Sequence, residues 1–147
     1  MKLDREKLLE LAARCEAATG PDRELDEAVW EGLGNCSHKR TKYYFIEDGN
    51  DYDSGHTCLD CGKDTYGVSK ALAYTASLDA AMTLVPEGCG FAIRHHPELI
   101  RKTWCEVWSH EYADPGNDPP DWFKASGATP ALALTATAIR ALAGETE

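Results

Sequence analysis

Three cysteines and a histidine stand in two short chelating pairs, Cys36-Ser37-His38 and Cys58-Leu59-Asp60-Cys61. Zinc takes four nitrogen and sulfur ligands in a tetrahedron, and Cys-x-x-Cys lets two thiolates grip one ion from a tight turn. Gly62 follows Cys61 directly and can take the positive φ such a turn needs, with backbone N–H groups aimed at the sulfurs. Three thiolates around a doubly charged ion leave surplus negative charge, which Lys39, Arg40 and Lys63 are placed to offset. His56 is a second candidate for the fourth ligand. Four protein ligands leave no position for water, so the expected cofactor is a structural zinc that organises the fold and activates no nucleophile. A metal-free redox pair at Cys58 and Cys61 is the rival chemistry. It fits a thioredoxin-like motif poorly, because that motif opens a helix after a strand, whereas Cys58 lies among Gly55, Gly62 and Gly67.

Compartment decides how the six cysteines are used. The first seven residues, Met1 to Lys7, are too charged to lead into a signal-peptide apolar region, and no apolar run approaches the roughly 20 residues that cross a bilayer. The expectation is a cytoplasmic protein, in which closely spaced Cys and His mark metal sites and not disulfides. Cys15, Cys89 and Cys105 are scattered and belong to the core. With 15 basic and 25 acidic residues, the net charge of −10 argues against nucleic acid or an anionic membrane as partner. A basic protein surface is the complementary partner. A chain of 147 residues is expected to form one domain, 1–147, with a zinc-knuckle-like insertion at about 35–67.

The elements that must position these ligands follow from pattern. Asp4 can cap a helix carrying Leu8, Leu11, Ala12 and Cys15, which Gly20-Pro21 ends. A second helix from Pro21-Asp22 carries Leu25, Ala28, Val29 and Leu33 and stops at Gly34. Thr41 to Ile46 is β-branched and aromatic and predicts a strand, and Asp48-Gly49-Asn50-Asp51 predicts a reversal. From Gly49 to Gly67 the composition predicts mostly loop, followed by a short strand or extended segment over 68–74. Thr75 or Ser77 can cap a helix with Leu78, Ala81, Met82 and Val85. Phe91 to Ile93 and Lys102 to Tyr112 read as antiparallel strands around His95-His96-Pro97, and 114–127 as an exposed loop tacked down by Trp122 and Phe123. Thr129-Pro130 opens a last helix through Leu132, Ala136, Ile139 and Leu142. The sum is an α+β protein: a small antiparallel sheet packed with helices, α/β/α sandwich-like, plus a zinc-binding loop.

Other groups carry weaker signals. Adjacent His95 and His96 on a strand point to opposite faces and cannot share a target. Trp104, Glu106, Trp108 and His110 alternate along one strand, and with Arg94 nearby they form a candidate ligand or partner surface, although most aromatic stripes pack under a helix. Glu47, Asp48, Asp51 and Asp53 make an acidic hairpin tip that lacks the glycine and terminal glutamate of a calcium loop. There is no Walker loop, dinucleotide fingerprint, Gly-x-Ser-x-Gly elbow or His-Glu-x-x-His helix, so the sequence indicates no reaction and no catalytic residue.

Several patches together resemble the phage ABA sandwich domain, a family of short phage and prophage proteins. They are Leu25-Asp26, Cys36-x-His38 with Cys58-x-x-Cys61-Gly62-Lys63, Tyr74-Thr75-Ala76-Ser77-Leu78-Asp79-Ala80-Ala81, and Thr129-Pro130-Ala131-Leu132-Ala133-Leu134. The chain departs from that pattern in its Pro-rich acidic segment between Asp114 and Asp121. The resemblance implies origin and fold, and brings no catalytic residues. Together with the acidic charge it leads to the expectation of a non-enzymatic phage or prophage accessory protein that binds another protein in the host cell, an anti-CRISPR type of inhibitor being the most concrete form. Two alternatives are a nucleotide or small-molecule binder or hydrolase using Arg94, Arg101 and Lys102 near the tryptophans, and a purely structural phage protein that dimerises through a sheet edge.

Overall fold

The computed structural model describes residues 3–36, 38, 40–49, 51–65, 71–95, 103–109 and 123–145. In chain order the elements are α1 (Arg5–Ala17), α2 (Arg23–Gly32), β1 (Thr41–Asp48), β2 (Asp51–Cys58), β3 (Asp64–Thr65), α3 (Leu78–Met82), β4 (Cys89–His95), β5 (Thr103–Ser109), β6 (Phe123–Gly127) and α4 (Pro130–Glu145). The class is α+β, as expected. The strands divide into two antiparallel sheets, β1-β2-β3 and β4-β5-β6, where the sequence pattern led us to expect one.

Local chemistry sets the helix ends. The Asp4 carboxylate accepts from the N–H groups of Glu6 and Lys7, and Asp22 accepts from Leu25, so each helix starts where a side chain satisfies its orphan donors. Gly34, at φ 86°, closes α2: its N–H reaches Glu31 O and the Asn35 N–H reaches Trp30 O, the paired bonds of a Schellman end. Thr129 accepts from the Leu132 N–H and Pro130 takes the first position of α4. Of the two candidate caps for α3, Ser77 holds the helix through the Ala80 N–H.

Thr75 instead ties α3's approach to α2. Its hydroxyl accepts from the Asp22 N–H at 2.8 Å, and its own N–H donates to the buried Asp26 carboxylate at 2.7 Å. A buried carboxylate is tolerated here because a backbone donor and Arg23, 3.6 Å away, satisfy it.

The core is organised around α4, which is buried on nearly all sides and not along one stripe, as a central helix must be. β5 and β6 lie on one side of it, α1 and α3 on others. Leu132, Ala136 and Ile139 join Leu8, Leu11, Cys15, Leu25 and Val29, while Ala133, Leu134 and Ala141 join Cys105 and Val107 of β5. Two buried threonines within α4 return their hydroxyl protons to carbonyls, Thr135 to Tyr74 O and Thr137 to Ala133 O. Small residues let backbones meet: a Cβ on Gly127 would lie 2.6 Å from Ala133 N and 3.0 Å from Leu132 C.

Three expectations are corrected. The expected loop from Gly49 onward contains β2, whose Asp-Tyr-Asp-Ser-Gly-His-Thr-Cys run carries no apolar alternation and becomes a strand by pairing in register with β1, from Thr41↔Cys58 to Asp48↔Asp51. Ala71 to Tyr74 is not a strand, and the rest of that expected segment, residues 68–70, lies outside the described residues. Phe123–Gly127 is not loop but β6, paired with β5 and packed under α4, with the Phe123 ring against Gly144. Residues 96–97, 101–102, 110–112 and 114–122, including His110 and Trp122, lie outside the described residues.

Two outcomes follow. Gly127→Ala should cost about 1–3 kcal/mol, read as a lower urea midpoint at unchanged slope, because the clashing atoms are helix backbone and cannot swing away. Burial pushes the thiols of Cys15 and Cys105 up to about 12 from the ordinary 9.0. Their folded pKa exceeds the unfolded one, so the stability they contribute is complete below pH 9.0 and is lost as the pH climbs toward about 12. A Cys15→Ala variant should show a shallower decline of its urea midpoint across that window than the native chain.

Candidate metal centre

β1 and β2 bring the two chelating pairs together. Their register sets Thr41 opposite Cys58, so the chain entering β1 lies beside the chain leaving β2. The Leu59 N–H donates to Arg40 O at 2.8 Å, and the Arg40 guanidinium grips the Asp60 carboxylate, with Nε 3.1 Å from Oδ1. The two carry linked shifts: Arg40 holds the Asp60 carboxyl below its ordinary value, and Asp60 holds the guanidinium above its own. On the other flank, the Trp30 indole N–H of α2 donates to Cys36 O at 2.9 Å, anchoring the first pair to the helical core.

Each pair sits on a turn of unusual backbone. Gly62 has φ 72°, as its place after Cys61 predicted, and its N–H donates to Cys58 O at 2.9 Å. The Asp60 N–H points at Cys58 Sγ, 3.4 Å away. His38 has φ 54°, the one non-glycine positive φ among the described residues, and this bend turns its side chain toward the second pair.

The four ligand atoms of Cys36, His38, Cys58 and Cys61 all lie within 4.8 Å of one another. Cys36 Sγ is 3.5 Å from Cys58 Sγ, and Cys61 Sγ is 3.4 Å from His38 Nδ1. A tetrahedral zinc with bonds of about 2.3 Å to sulfur and about 2.0 Å to nitrogen has edges of about 3.8 Å between sulfurs and about 3.5 Å from sulfur to nitrogen. The residues fit the ion in number, type and spacing.

Electrostatics favour a metal-ready thiolate. Cys58 is pulled down to about 6, first by the Cys61 backbone N–H and then by the His38 ring, with the Asp60 N–H adding to them. Cys36 is raised. The His38 backbone N–H draws it down, but burial and the neighbouring Cys58 and Cys61 outweigh that donor. This is the pattern of crowded thiols that share too little positive charge, which a cation at their centre supplies.

Of the charges expected to offset the thiolates, Lys63 lines a cleft of about 320 Å³ beside His38 and Cys61, with Trp30 and Gly34 across from it. Arg40 is engaged by Asp60, and Lys39 lies outside the described residues. His56 does not join the cluster. It pairs with Tyr43 on β1 and Thr65 on β3, its ring meets the Tyr43 ring edge-on at 5.5 Å, and its buried Nδ1 has no hydrogen-bond partner among the described residues. Sequence spacing gave no sign of Trp30 or of the Arg40–Asp60 pair, since both depend on the register of β1 against β2 and on where α2 ends.

The second candidate surface divides by strand alternation. Thr103, Cys105 and Val107 of β5 face inward and are buried, Cys105 and Val107 within the core cluster of α4, so the aromatic stripe is not the helix-covered face. Trp104 is 39% exposed on the opposite face with Glu106 and Trp108. Glu106 sits between Arg94, 3.3 Å away on β4, and Lys124, 3.7 Å away on β6. Trp108 lies over Gly90, where a Cβ would come within 2.9 Å of the indole. Arg94 is thus engaged by a carboxylate, and Arg101 and Lys102 lie outside the described residues.

No protein-family model matches the chain, and no curated protein or solved structure matches it.

Purified protein should carry about one zinc per chain by metal analysis. Cys61→Ser and His38→Ala should each weaken zinc binding at least about 100-fold in a chelator competition. His56→Ala should leave the stoichiometry unchanged, which separates the two histidines.

Proposed function

We propose that this is a zinc-stabilised accessory protein, of the kind that phages and prophages encode, and that it acts by binding another protein. The observation that carries the proposal is the convergence of Cys36, His38, Cys58 and Cys61. Four protein ligands complete zinc's tetrahedron and leave no coordination position at which water or substrate would be activated. Such a centre holds a shape, and a fixed shape serves recognition.

The partner surface is the outward face of β4-β5-β6. Trp104 stands out from it, and the Arg94–Glu106–Lys124 charges run beside it. Large aromatic side chains beside paired charges are where interfaces concentrate binding energy. The net charge of −10 fits a basic partner, met by steered and salt-sensitive association. In its most concrete form the partner is a host defence complex whose basic nucleic-acid channel this acidic protein occludes, as a CRISPR inhibitor does. The phage origin is supported by the resemblance of the Tyr74–Ala81 and Thr129–Leu134 patches to the phage ABA sandwich domain. In this fold those patches form the latch onto α2 and the start of α4.

Zinc-loaded protein immobilised against host lysate should retain a specific partner at low salt and release it as salt rises. A Trp104→Ala variant with native zinc content should lose that partner. Recovery of no specific partner at low salt, or equal retention by Trp104→Ala, would count against the proposal.

A further inference from the structure

The two chelating turns bring three thiols close enough to react with one another. The ligand atoms of Cys36, Cys58 and Cys61 lie within 4.8 Å of each other, and Cys36 Sγ stands 3.5 Å from Cys58 Sγ. A disulfide has its sulfurs about 2.05 Å apart, a closure that is small beside the swing of a cysteine sulfur between staggered rotamers. The other ligand contact runs between Cys61 Sγ and His38 Nδ1, 3.4 Å apart. Elsewhere Cys15 and Cys105 are buried in the core, and Cys89 lies on β4 in the other sheet.

Access differs between the two sulfurs in contact. Cys36 is half-buried and lines the cleft of about 320 Å³ that Lys63 and Trp30 also border, whereas Cys58 is buried. A small oxidant entering the cleft therefore meets Cys36 with Cys58 next to it. A bond between the two would join the chain entering β1 to the end of β2, the same two places that a shared ion joins. It would also take two of the four ligands. His38 and Cys61 alone cannot complete a tetrahedron, so the bond and the ion exclude each other. The bonds from Trp30 to Cys36 O and from Leu59 to Arg40 O end on backbone oxygens and do not depend on the state of any sulfur.

We propose that Cys36 and Cys58 are a peroxide-sensitive thiol pair, whose oxidation to a disulfide expels zinc and takes over its part in holding β1 to β2. This rests on the reading of the four residues as a zinc centre. The Cys36 thiolate attacks one oxygen of hydrogen peroxide, so that an S–O bond forms and the O–O bond breaks. The Cys58 thiolate then attacks the Cys36 sulfur, forming the S–S bond and expelling the oxygen as hydroxide. Each sulfur gives up one electron. The peroxide takes both electrons with two protons from solvent and leaves as two molecules of water, and zinc departs as the unchanged dication.

The test treats the zinc-loaded full chain at neutral pH with a small excess of hydrogen peroxide beside a colorimetric zinc chelator. About one equivalent of zinc should be released while the thiols counted in denaturant fall by two from six. Asp60 lies between Cys58 and Cys61, so proteolysis on its N-terminal side separates them, and mass spectrometry should find Cys36 joined to Cys58. Dithiothreitol should restore six thiols and zinc uptake. Amides of β1 and β2 should exchange hydrogen at least about tenfold more slowly in the oxidised zinc-free chain than in the reduced zinc-free chain. A chain that takes up no zinc from reducing buffer overturns the metal reading and this proposal with it. A chain that takes up zinc but keeps it and all its thiols under peroxide overturns this proposal alone. So does a disulfide between any other pair, loss of thiols to sulfinic acid without a disulfide, or equal hydrogen exchange in the two zinc-free forms.

Discussion

A sheet needs something to hold its strands in place, and β1-β2-β3 has almost no core of its own. Among its described side chains only Cys58 is buried, and the aromatic residues of β1 are half-buried or exposed. What constrains these strands is the convergence of four ligand atoms at one end and the Trp30 indole that fastens the first chelating turn to α2. A coordination bond is stronger and more directional than any single apolar contact, so one ion can replace the packing that a short, polar hairpin cannot supply. Without such an ion, three thiols that crowd one another are left to hold two turns together.

The other half of the molecule follows the opposite logic. α4 is surrounded by apolar neighbours, and Gly127 lets β6 approach it to backbone distance. Close packing of this kind is stabilised by many weak contacts and is intolerant of added volume. The buried Asp26–Thr75 bond and the Thr135–Tyr74 bond then fix α2 and α4 to the same stretch of chain, Tyr74-Thr75. The helical half is therefore a single block to which the hairpin carrying the candidate ligands is attached at the end of α2.

The candidate metal ligands were legible because chelation imposes short, fixed spacings and a glycine at a known place. The helices were legible because their caps are local: Asp4, Asp22, Ser77 and Thr129 each act on residues two or three positions on. The strands β2 and β6 were not, and for different reasons. β2 is polar and glycine-containing, and is extended by pairing in register with β1. β6 reads Phe-Lys-Ala-Ser-Gly, small residues that look like loop until Ala125 and Gly127 are seen under α4. The choice between His38 and His56 was likewise invisible, since the strand period sends His56 to the Tyr43 ladder only once the register is known.

The scarcity of buried side chains in β1-β2-β3 has an evolutionary corollary. Residues whose burial holds a fold are under constraint from every neighbour, whereas the exposed positions of a hairpin with little core are less so. Ile46, 54% exposed, could be exchanged for another side chain at little thermodynamic risk. Such a hairpin can take up substitutions at its outward positions while the packed scaffold around α4 stands still.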